Sequence, residues 1–106
     1  MLLIKSEALA RQNDLVGAVD AYNLVRQRAE LPAHTLGQDV TTQADVLAEI
    51  DLQRQLELAF EGDRWPDLVR TGRAVEVLEI PEYQTLYPIP QTEIDVAPGV
   101  TQNPGY

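Results

Sequence analysis

Six of the seven prolines stand at Pro66 or later. Proline removes a helical N–H and clashes with the turn before it. Long helices are therefore confined to the first two-thirds of the chain. Before Pro81 the apolar residues recur at three- and four-residue steps, one face of an α-helix. After Pro81 no period is sustained to Tyr106. The expected architecture is mainly α: a helical hairpin over 1–30, a helix and short helical turn over 42–72, and a long irregular Pro-rich segment over 81–106 that packs across the helices.

The first helix is read over Leu2–Gln12, with Leu2, Leu3, Ile4, Ala8, Leu9 and Ala10 as a broad apolar face. It has no Ser, Thr, Asp or Asn ahead of it to cap orphan amides, which reads as a start inside a longer helix. Asn13-Asp14 breaks it, and Asp14 is placed to cap the second helix. Leu15, Ala18, Val19, Tyr22, Val25 and Ala29 form the second helix's buried face, and Leu31-Pro32 ends it. His34 to Thr41 reads as a polar connection. Thr42 with Asp45 forms a capping pattern for a third helix over Gln43–Phe60, stopped by Gly62. Arg64–Thr71 reads as a short helix with Pro66 in its first turn, ended by Gly72. Ala74–Leu78 and Gln91–Val96 each supply a further helical turn.

The closing segment is too long for an internal loop of a compact domain. Its Tyr83, Leu86, Tyr87, Ile89, Ile94 and Val96 set it apart from disordered tails, which are poor in such residues. It is expected to be a strap pinned to a folded body.

Composition removes several function classes. A net charge of -9 with eight scattered Lys and Arg lacks the cationic surface that nucleic acid demands. With no cysteine and one histidine, His34, a metal site has too few strong ligands, and no metal or other cofactor is expected. Ser6 is the only serine, and it falls within a predicted helix. No nucleophile-base pair and no phosphate loop is present, so the expected role is non-enzymatic. No apolar run approaches the length of a membrane span. No signal peptide and no lipid-anchor cysteine are visible.

Arg54, Glu57 and Glu61 share one helix face at three- and four-residue steps, and Arg64, Asp67 and Arg70 follow on the next short element. Charges alternating in sign near a helix end predict a structural ion-pair network that ties the third helix to the turn. The sharper alternative, a substrate site at Glu57 and Glu61, requires a cleft and a substrate between two carboxylates on one helix. Trp65 is the only tryptophan. It is expected to anchor the turn in the core, with stacking against a sugar ring as the competing role.

Several separated stretches resemble the RagB/SusD family. Leu2 to Arg28 is similar to the family's late helical hairpin. Gln53 to Gly62, QRQLELAFEG, resembles a family phrase that Arg64, Trp65, Asp67, Leu68, Arg70 and Gly72 continue. Pro88, Ile89, Pro90, Glu93, Pro98, Gln102, Asn103, Pro104, Gly105 and Tyr106 resemble its closing phrase. Gln53 and Gln55 depart from the usual Glu and Arg, Pro66 from a common aromatic, and Ala97 and Gly99 from the usual Asn residues around Pro98.

The resemblance implies tetratricopeptide-like helical pairs and the carboxy-terminal part of a several-fold longer protein. It implies a lipoprotein at the external face of the outer membrane that binds an oligosaccharide or peptide. Such a protein delivers its ligand to a TonB-dependent, SusC-like transporter and breaks no bond. It assigns no ligand residue to this stretch. The alternative is a tetratricopeptide-type interaction scaffold, for which Ser6, Ala18 and Tyr22 supply a fitting small-Ala-aromatic pattern.

Overall fold

The computed structural model describes residues 1–106. The chain is helical and has no β-strand. The helices are α1 (Leu2–Arg11), α2 (Leu15–Arg28), α3 (Gln43–Glu57), α4 (Arg64–Arg70), α5 (Ala74–Leu78) and α6 (Gln91–Val96), with a 3-10 turn at Glu82–Thr85 between α5 and α6. It divides into two compact units, Met1–Gly62 and Asp63–Tyr106.

In the first unit α1 and α2 form the expected hairpin. Asn13 takes a left-handed φ of 64° between them, a conformation that Asn tolerates better than most residues. Asp14 then caps α2 by accepting the Gly17 N–H at 3.0 Å. A Cβ on Gly17 would meet the tip of the Asp14 carboxylate at 2.6 Å, a contact that the flexible side chain can relieve by shifting. The helices approach closely because the contact residues are small: Ser6, Ala10, Ala18 and Ala21 are all buried. The buried Ser6 hydroxyl donates to the Ala18 carbonyl at 2.6 Å, crossing from α1 to α2.

The pattern on α2 is largely as expected, with Ala18, Val19, Tyr22 and Val25 buried, Leu15 partly so, and Ala29 exposed. On α1 the structure selects a narrower stripe of Leu3, Ser6 and Ala10. Leu2, Ile4 and Ala8 face outward.

The third helix opens with the expected capping box, Thr42 and Asp45 each accepting the other's backbone N–H. Three hydrogen bonds from Thr41 and Thr42 converge on Asp45 Oδ2. They hold its carboxyl down from the usual 3.8 to about 2. Val46 and Ile50 complete the core with Leu3, Ala10, Val19, Tyr22 and Val25.

This helix ends at Glu57, three residues short of the expected Phe60. Gln53 is its last buried residue. Most helical stability comes from packing an apolar face, and past Gln53 no residue of the helix is buried. Phe60 instead takes a left-handed φ of 66° and is fully exposed.

The connection from α2 to α3 is also more than a polar loop. Leu36 and Val40 form a bridge, and Val40 is buried in the core.

Candidate functional site

The first unit's polar chemistry gathers at Tyr22, Asn23, Arg26, His34, Glu49 and Gln53. Asn23 grips the backbone of His34 from both sides. Its Nδ2 donates to the His34 carbonyl at 2.9 Å, and its Oδ1 accepts the His34 N–H at 2.8 Å. The gripped ring lies edge-on to Tyr22, with Nδ1 3.2 Å from the Tyr22 hydroxyl. Glu49 Oε1 receives Gln53 Nε2 at 2.7 Å and Arg26 Nη1 at 3.2 Å. Arg26 Nε also donates to the Pro32 carbonyl at 2.9 Å. Burial, and after it the Glu49 charge, pushes the Tyr22 phenol up from 10.0 to about 12.

Tyr22, Asn23, Arg26, His34 and Glu49 tie α2, the connection and α3 together, and Gln53 braces Glu49 within α3. The pattern left the cluster out because it rests on His34, which stands outside any helical period. The i, i+4 pair Glu49 and Gln53 beside the buried Ile50 was the available signal.

The charged residues read from sequence fall as follows. Glu57 pairs with Arg28, joining α3 to α2. Within α4, Arg70 pairs with the buried Asp67 at 3.1 Å. Arg54 and Arg64 are half-buried, and Glu61 is exposed in the turn after α3.

In the second unit α4 carries Trp65 and Pro66 in its first turn, and Thr71 closes it by donating to the Asp67 carbonyl at 2.7 Å. Gly72 takes the left-handed φ of 73° that the turn into α5 demands. From Leu86 onward the chain leaves and returns, and the returning residues close on the outgoing ones. Gln102 binds Ile89 twice: Ile89 N–H donates to Oε1 at 2.8 Å, and Nε2 donates to the Ile89 carbonyl at 2.9 Å. Asn103 Nδ2 donates to the Tyr87 carbonyl at 2.7 Å. The Tyr106 hydroxyl donates to the Leu86 carbonyl at 2.7 Å, and its ring meets Tyr83 edge-on at 5.1 Å.

Gly105, at φ 96°, lies against Tyr83 so closely that a Cβ would come 2.5 Å from its Cγ. The closing segment thus clasps itself, its hydrogen bonds joining its own outgoing and returning residues.

The clasp leaves its large side chains outside. Tyr87 is 75% exposed, Tyr106 49% and Leu86 54%. Trp65 is half-buried, where the sequence pointed to a core anchor. With Leu78, Ile80, Gln84, Tyr87 and Tyr106 it lines a groove of ≈ 360 Å³. That lies within the usual range for small-ligand sites, whereas a second hollow beside Val75 and Glu82, at ≈ 170 Å³, falls below it. Trp65 and Tyr87 stand 6.4 Å apart at 60° to each other, like two sides of an open V. No lining side chain is charged. No three His, Asp or Glu side chains converge as a metal ion would require.

The family model described as the SusD family matches residues 1–84 and 71–106, so its two matches together span the whole chain. The chain belongs to the SusD family. A SusD-like protein of Formosa agariphila is 43% identical over 83 residues, 74% of this chain. The match spans 16% of that relative's length. No solved structure matches. The matched stretches include the hairpin, the QRQLELAFEG run and the clasped ending. The family's helical character agrees with the observed fold.

Proposed function

We propose that this chain is the carboxy-terminal part, 1–106, of a SusD-like nutrient-binding protein. That protein works at the external face of the outer membrane, takes up an oligosaccharide or peptide without breaking a bond, and delivers it to a TonB-dependent, SusC-like transporter. The observation that carries this reading is the family match along the entire chain. Large apolar side chains standing in solvent support it: Leu2, Ile4 and Val16 on the hairpin, and Leu52 and Leu56 on α3. Leu52 and Leu56 stand four apart on one face of α3, and exposed apolar residues that adjoin one another characterise a face that meets further protein. The six charged residues Arg54, Glu57, Glu61, Arg64, Asp67 and Arg70 have a structural role in this proposal. The Arg28–Glu57 and Arg70–Asp67 pairs support that role within each unit.

The test is co-purification. An affinity tag placed after Tyr106 in the native gene is used to recover the protein from detergent-solubilised envelopes. A β-barrel transporter recovered with it in near-equal amount is the expected result. Recovery of the tagged protein alone, from the soluble fraction, would overturn the proposal.

A further inference from the structure

Helix α3 has a second face that the core does not use. Val46, Ile50 and Gln53 turn into the core. On the opposite side Ala44, Ala48, Leu52, Gln55 and Leu56 are exposed. At 3.6 residues per turn these five share one continuous arc of the helix surface. Four of them are apolar and none is charged. The solvent side of a surface helix is ordinarily charged and polar. On the outer side of α2, by contrast, Asp20, Gln27 and Arg28 interrupt Val16 and Leu24.

Two properties of the arc define what fits it. The first is relief. Ala44 and Ala48 make a low stretch and Leu52 and Leu56 a raised one, so a second helix can approach closely over the alanines. Ser6 and Ala10 on α1, also four apart, admit α2 in the same way. The second is charge. Asp45 edges the arc on one side, and its carboxylate accepts from the amides of Thr41 and Thr42 and from the Thr41 hydroxyl. Asp51 edges it on the other. Arg54, the sole cation of α3, lies toward the core side and is half-buried. Residues 1–62 carry ten carboxylates against five Lys and Arg.

We propose that this arc seats an amphipathic helix from the part of the same polypeptide that precedes Met1, with large apolar residues over Ala44 and Ala48 and Lys or Arg along both edges. This rests on the carboxy-terminal reading and names the face on which the preceding part lies. The Formosa agariphila relative has ample chain for such a helix, since the match spans 16% of its length. Charge decides against a second copy of this chain as the occupant. Its α3 would bring the same acidic edges and set carboxylate against carboxylate, whereas a basic helix turns each edge into an attraction.

The test uses the protein expressed from its native gene with the tag after Tyr106. In it p-benzoylphenylalanine replaces Leu52, the cells are irradiated, and the recovered product is mapped by mass spectrometry. The expected result is a cross-link within one polypeptide, to a segment before Met1 that carries Lys or Arg on both sides of an apolar stripe. A cross-link to a second copy, to another protein or to a segment without those cations would overturn the proposal, as would no cross-link. Ala48→Cys supplies an independent readout, because residues 1–106 contain no cysteine. Maleimide labelling at position 48, read on its own peptide, should be at least about tenfold slower in the folded native-gene product than in urea. A smaller difference would mean that the face stands open, and would overturn the proposal. A barrel recovered with a protein whose position 48 labels freely would sink this inference alone. A protected position 48 without a barrel would sink the nutrient-capture reading alone.

Discussion

Gln102→Ala is the perturbation that most sharply separates a clasped tail from one that merely lies on the surface. The side chain makes three hydrogen bonds: two with the Ile89 backbone at 2.8 and 2.9 Å, and one from its neighbour's Asn103 N–H at 2.9 Å. A net hydrogen bond contributes about 0.5–1.5 kcal/mol. Gln102 is half-buried, so the lower part of that range applies. Three such bonds sum to about 2 kcal/mol, which raises the local opening constant about thirtyfold. Amide hydrogen exchange read residue by residue is the assay. The Ile89 amide should exchange about thirtyfold faster in the variant, because its acceptor is gone and the segment opens more often. The Val46 amide, in the first unit, serves as the internal control and should not change. An Ile89 rate within about twofold of the parent would mean the clasp contributes nothing to order, and the account of a self-clasped closing segment would fail with it.

Three further outcomes follow from the first unit. Asn23→Asp keeps the acceptor for the His34 N–H but sets a carboxylate against the His34 carbonyl. It should lower stability by about 2 kcal/mol, read as a shifted urea midpoint at unchanged slope. The Asp45 carboxyl is held at about 2 against an ordinary 3.8, so its contribution is full above the ordinary value and is lost as pH falls through the folded one. Asp45→Asn should flatten the acid limb of the stability profile in that window, measured by denaturation at a series of pH values. The Tyr22 phenol is raised to about 12 from 10.0, so its neutral form stabilises the fold below pH 10.0 and that contribution is lost as pH rises through about 12. Tyr22→Phe should therefore lose less stability than the parent across the same alkaline interval.

What was readable in the sequence followed local rules. Asp14 and the Thr42–Asp45 box announced helix starts through the residues that cap orphan amides. Gly72 marked an end through its left-handed φ, and Gln91–Val96 was legible as a short helix. The stripe on α2 was visible because five of its six positions pack on one core.

What was not readable depended on partners distant in sequence. The end of α3 lies where its packing surface stops, and no local residue encodes that. Gly62 takes the expected left-handed conformation, but only after the chain has already left the helix. The His34 cluster requires Asn23 to meet a backbone eleven residues away. The strap was legible in its Tyr, Leu and Ile content, yet its fastening was not. Gln102, Asn103 and Tyr106 hold residues thirteen to twenty positions earlier, through side chains that any polar tail contains. Trp65 stands half-open for a similar reason, since the groove exists only once the tail has returned.

The most direct measurement of the central claim is backbone order along the tail, from nitrogen-15 relaxation of the whole chain. If the tail is clasped, order parameters at Tyr87, Ile89 and Gln102 should reach about 0.85, as at Tyr22 in the hairpin. Values below about 0.6 from Leu86 to Tyr106 would contradict the account, because a tail that mobile is not fastened.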